Sequence, residues 1–112
     1  MAESLPPDVS ATLNALLTGT DPVSGALRAQ IAHTRVAGRC GCGCATVDLE
    51  VNRAAVPPAP EHGNPAVDAW YAVPENAGAM IFTQDGYLSL LEIYSASSDP
   101  IAAWPTPCFV ER

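Results

Sequence analysis

Apolar residues recur at helical spacing over the first thirty positions and then switch to alternation, so the pattern predicts helices followed by strands. Val9, Leu13, Leu16 and Leu17 mark a first short helix, which Asp8 is placed to cap and Gly19 to stop. The second helix has a sharper start. Asp21 stands at its N-cap and Pro22 at its first position, where a missing N–H costs nothing. Its apolar stripe is Val23, Leu27, Ile31 and Thr34, and it is expected to end near His33.

Strands are expected from Thr34 onward. In residues 45–51 Val47, Leu49 and Val51 face inward, while Thr46, Asp48 and Glu50 face water. Residues 54–65 carry four prolines, Gly63 and Asn64 and read as a loop; residues 67–73 read as a strand ended by Pro74. Residues 79–84 and 87–94 flank Asp85-Gly86, the pair that a type I′ hairpin turn asks for. Setting Gln84 opposite Tyr87 places Phe82 against Ser89, Ile81 against Leu90 and Met80 against Leu91. Both faces of this hairpin are apolar, so it belongs at the centre of a sheet with the helices on one side. Ile101, Trp104 and Phe109 are expected to wrap back over the sheet. The expected fold is one α+β domain over residues 1–112, with 1–7 and 106–112 as tails. Two N-terminal helices precede an antiparallel meander of about four strands around the central 79–94 hairpin.

Composition agrees with a packed domain, at 48% hydrophobic and 15% charged residues. The formal net charge is −7, with five arginines and no lysine. Such a balance excludes non-specific nucleic-acid binding and disfavours anionic membranes, since both need a cationic surface. It is compatible with a protein partner that presents a basic surface. The first residues have neither the basic nor the apolar region of a secretory signal, and no segment has the ~20 apolar residues of a membrane span. A cytoplasmic location is therefore expected, where four cysteines speak more for free thiols or metal than for disulfides.

Three of those cysteines fall in Cys40-Gly41-Cys42-Gly43-Cys44. An unbroken strand would turn them to the wet face of Thr46, Asp48 and Glu50. A bulge or turn near the glycines would break that phase and also give Val36 an inward position. Side chains two apart on a flat strand stand roughly 7 Å apart, whereas thiolates on one zinc lie about 4 Å apart, so only a broken strand can chelate. Cys108 is then the first candidate for the fourth ligand, followed by His62 and His33. The competing readings are small buried thiols, and thiols made reactive by Arg35 and Arg39.

Other side chains give weaker signals. Asp48, Glu50 and Glu92 can share one sheet face, as solvated carboxylates with an arginine partner. His33 and His62 have no acid–base partner that spacing assigns. Trp70, Tyr71 and Trp104 are either core or a binding surface.

The strings Leu27-Arg-Ala-Gln-Ile31, Arg39-Cys-Gly-Cys-Gly-Cys44 and Asp85-Gly-Tyr-Leu-Ser-Leu-Leu-Glu-Ile-Tyr-Ser95 resemble a group of small proteins from high-GC Gram-positive bacteria. The resemblance covers residues 21–105 and implies a bacterial cytosolic domain. That group has no assigned activity, so no functional residues carry over. The function expected is non-enzymatic binding of a partner, or regulation. The alternative is a zinc-binding or thiol-redox protein built on Cys40, Cys42 and Cys44, with Cys108 or His62 completing a metal site.

Overall fold

A computed structural model describes residues 5–39, 44–72, 77–95, 101, 103–105 and 110–111. Helix α1 (Pro7–Leu16) starts two residues earlier than its apolar pattern suggests. Pro7 sits in the first turn, Pro6 is the N-cap residue, and Asp8 lies inside the helix rather than capping it. Helix α2 (Pro22–Gln30) begins as its sequence dictates, the Asp21 carboxylate accepting from the Ser24 N–H at 3.0 Å. It ends in a single 3₁₀ turn, Ile31–His33. Its buried residues are Ser24, Leu27 and Gln30, one step round from the expected stripe, with Val23 and Ile31 at the margin.

Five antiparallel strands form the sheet: β1 (Thr34–Arg39), β2 (Val47–Val51), β3 (Val67–Tyr71), β4 (Ala77–Gln84) and β5 (Tyr87–Ser95). The two-residue β6 (Val110–Glu111) lengthens one edge. The spatial order is β1-β2-β5-β4-β3-β6. This corrects the four-strand meander in number and in path. β1–β2 is one hairpin and β3–β4–β5 a meander, and residues 52–66 carry the chain across the sheet from β2 to β3. The β4–β5 hairpin is central, as its two apolar faces require, and Asp85 (φ 57°) and Gly86 (φ 85°) make its turn.

Two bulges set which residues are buried. Between Phe82 and Thr83 the register shifts, so that Phe82 faces Leu90, Ile81 faces Leu91 and Met80 faces Glu92. The expected pairing was off by one because Ser89 is the extra residue. The bulge lets Leu88, Leu91 and Ile93 all reach the core despite their uneven spacing. In β1 the shift falls between Val36 and Gly38. Val36 there pairs with Leu49 on the core side, and this break comes at Ala37; the glycines of the cysteine run lie outside the described residues.

The helices cover one face of the sheet. Val9, Leu13, Leu16, Leu17 and Leu27 join Val47, Ala79, Ile81 and Leu91 in one buried cluster, against which Ile101 and Trp104 also pack. At roughly 1.5–3 kcal/mol per fully buried aliphatic side chain, this cluster is the main stabilising feature. Among the described residues no helix is long and apolar enough to cross a membrane.

β2 stays paired with β5 only at Val47–Leu91 and Asp48–Leu90. Beyond that point a wedge of about 220 Å³ opens between Leu49–Val51 and Tyr87–Ser89. The exposed edge of β5 is met instead by the side chain of Gln30. Its Oε1 accepts from the Leu88 N–H at 2.9 Å, and its Nε2 donates to the Gly86 and Pro57 carbonyls at 2.9 and 3.3 Å. One carboxamide thus replaces a backbone peptide at the sheet edge. Asn64 does the same for β4, its Oδ1 accepting from the Thr83 N–H (2.9 Å) and its Nδ2 donating to the Thr83 carbonyl (3.2 Å).

Candidate functional site

The sheet face away from the helices carries the most unusual surface. Register aligns Trp70, Gly78 and Tyr94 in one cross-strand row, and Asp68, Met80 and Glu92 in the next. Phe82, Leu90 and Asp48 form a third. Gly78 is the key to the first row. A Cβ there would overlap the Tyr94 ring, so only glycine lets that ring lie across β4. Trp70 meets Tyr94 edge-on, with centroids 4.9 Å apart and planes at 80°. The Tyr94 hydroxyl donates to Asp68 Oδ1 at 3.0 Å.

Trp70 remains 47% exposed and is the one large hydrophobic side chain so exposed among the described residues. Met80, Phe82 and Leu90 are half-buried beside it. Asp48, Asp68 and Glu92 supply negative charge on the same face, while Glu50 is bound by Arg35 (Nε to Oε1, 2.8 Å). The Tyr94 phenol is pushed up to about 12, chiefly by burial, then by the hydrogen bond to Asp68 and by the charges of Asp68 and Glu92. The ring therefore stays neutral across the physiological range, and its surroundings disfavour any further negative charge.

The carboxylates named from sequence do share this face. Glu50 has the expected arginine partner. Glu92 faces Met80 on a central strand. The aromatic residues divide: Trp70 is surface, Tyr71 is core, and Trp104 packs against the core. Among the described residues, the Tyr71 hydroxyl and Trp104 Nε1 are buried and find no hydrogen-bond partner. Burial pushes the Tyr71 phenol up. Thr12 donates its own proton to the Asp8 carbonyl at 2.8 Å and completes no hydrogen bond with Tyr71.

Of the cysteine site, Cys40, Cys42 and Cys108 lie outside the described residues. Cys44 is half-buried in the connection between β1 and β2. Among the described residues no group of three or more histidine, cysteine, aspartate or glutamate side chains could hold a metal ion. Both ring nitrogens of His62 are engaged. Nδ1 lies 2.6 Å from the Pro60 carbonyl, which can only accept, so it carries a proton; Nε2 lies 2.7 Å from the Thr83 hydroxyl, which also stands 3.2 Å from Asn64 Oδ1. A hydroxyl paired with an oriented imidazole has the reach of a nucleophile and its base. Thr83 is nevertheless buried, and neither the wedge beside β5 nor the larger cleft near α2 includes it. The pair fastens residues 60–64 to β4. Spacing could not reveal it, since 21 residues separate its members.

Comparison of the chain with protein-family models, with curated proteins and with solved structures finds no match.

Proposed function

We propose that the protein is a cytosolic bacterial domain without catalytic activity, which binds a partner protein through the helix-free face of its sheet. The observation that carries this reading is Trp70, left half-exposed and held by Tyr94 among carboxylates. An aromatic anchor with an apolar surround is the composition of an interface core. The flanking Asp48, Asp68 and Glu92 select a partner with arginine or lysine at the rim, and the net charge of −7 steers it from a distance. A cationic side chain can also stack on the Trp70 ring.

The test uses a short arginine- and leucine-rich peptide as probe and amide chemical shifts of the intact protein as readout. Saturable shifts confined to β3, β4 and β5 around Trp70 are expected, with affinity falling as salt rises. Trp70→Ala should weaken binding about 30-fold, as for an interface hot spot. Shifts spread over the whole surface, or an affinity indifferent to both salt and Trp70→Ala, would refute the reading.

A further inference from the structure

A large cleft lies elsewhere, where α1 and α2 meet the ends of β1 and β2. This cleft of about 1040 Å³ is lined by Ser10 and Asn14 from α1, by Arg28 and His33, and by Arg35 and Arg53 at the strand ends. Its size is at the upper limit of small-molecule sites, which run to about 1,000 Å³. Its charge opposes that of the molecule. Three of the chain's five arginines stand around it, and among the described residues Glu50 is the one carboxylate in its wall. A protein of net charge −7 thus presents a locally cationic concavity.

The arginines are held in place before any ligand arrives. Nη1 of Arg28 donates to the Leu17 carbonyl and, at 3.2 Å, to the Gly19 carbonyl, closing the C-terminal end of α1. Carbonyls fix a guanidinium without cancelling its charge. Among the described residues no carboxylate pairs with Arg28, and Nε and Nη2 stay uncommitted. Arg35 spends Nε and Nη2 on Glu50. Arg53 spends Nη1 on Asp85 at 3.2 Å and lies 4.6 Å from the Tyr87 ring centroid. Each guanidinium has five donors in a rigid fork, so each retains N–H groups. His33 is exposed on the same wall, and Ser10 and Asn14 add neutral hydrogen-bonding groups opposite.

We propose that this cleft binds a small molecule bearing a carboxylate or a phosphate, with Arg28 as the principal charge partner. Planar guanidinium forks match both oxyanions in geometry, and their entropy of ordering is already met by the protein. The site is separate from the Trp70 face, so either can fail without the other.

The test titrates the full-length protein with inorganic phosphate and, separately, with succinate, at constant ionic strength set by sodium chloride. Saturable amide shifts in residues 10–14, 28–35 and 50–53, in the millimolar range of a single small anion, are expected. Saturation by phosphate alone identifies a phosphoryl ligand, and saturation by succinate alone a carboxylate. Arg28→Gln should raise Kd about tenfold and Arg28→Lys should restore part of it, since a charge-assisted hydrogen bond is worth roughly that factor. Should Arg28→Gln unfold the α1 end, His33→Glu serves instead. It places a carboxylate on the exposed wall, breaks no described hydrogen bond, and should abolish saturation. Linear shifts with both anions, or Kd values unchanged in His33→Glu, would overturn the proposal.

Discussion

Replacing Gln30 by leucine removes the carboxamide that closes the free edge of β5 while nearly keeping its volume. Gln30 is fully buried. The substitution loses one hydrogen bond accepted from Leu88 and two donated, to Gly86 and Pro57. The three losses differ in cost. The Gly86 carbonyl still accepts from the Ala59 N–H at 2.8 Å, so its loss is small. The Leu88 N–H is buried and points into the wedge where β2 has already diverged, so it is left without a partner. An orphaned buried donor costs about 1–3 kcal/mol, and the Pro57 carbonyl adds up to ~1 kcal/mol. The extra methyl groups of leucine recover part of this, which leaves a net loss of about 2–3 kcal/mol. Gln30→Ala adds a cavity and should lose about 1 kcal/mol more. Urea unfolding followed by circular dichroism measures both, with the m-value expected to hold. Native-state hydrogen exchange should show the Leu88 amide losing protection beyond the global loss. A Gln30→Leu protein within about 0.5 kcal/mol of the parent, or one with Leu88 equally protected, would refute the claim that the side chain substitutes for a strand.

Two further outcomes follow from the hairpin and the aromatic face. Gly86→Ala should destabilise by about 1–3 kcal/mol, because φ is +85° and the new Cβ would stand 2.7 Å from Pro58 Cβ and 2.9 Å from the Ala59 carbonyl. Gly63→Ala, where nothing lies within 4 Å, is the matched control and should change stability little; equal urea midpoints for the two variants would contradict the crossing geometry. Absorbance at 295 nm should show one phenol ionising near pH 12 that Tyr94→Phe removes and Asp68→Asn moves downward. Because the folded value lies above the ordinary 10.0, the stability linked to Tyr94 is intact below pH 10 and is lost as pH rises through 12. An Asp68→Asn titration superimposable on the parent would remove Asp68 as a cause.

How far the sequence could be read depended on how local each signal was. Asp85-Gly86 needs positive φ at both positions, and Asp21-Pro22 starts a helix by itself, so both were legible from two residues. The alternation at Val47, Leu49 and Val51 was equally plain. What failed was anything settled by a distant partner. The Ser89 bulge exists because Leu88 and Leu91 both need the core, a demand visible only once the helices lie beneath them. The order β2-β5 follows from where residues 52–66 cross, and proline content says that a loop exists without saying where it goes. The role of Gln30 was not legible, because its three hydrogen-bond partners lie 27 to 58 positions away. The same holds for the sites. Trp70 and Tyr71 are neighbours in sequence and sit on opposite faces, one exposed and one buried, and the arginines of the cleft come from three separate segments.

The division of the two tryptophans between the faces of the sheet gives the protein a pair of internal reporters. Trp70 meets water and should emit at long wavelength; Trp104, with Nε1 buried against the core, should emit at shorter wavelength. Collapse of the helices onto the sheet is then read in one component of the spectrum and occupancy of the opposite face in the other. A single fluorescence experiment, with Trp70→Phe to assign the bands, can therefore separate a molecule that has unfolded from one that has found something to bind.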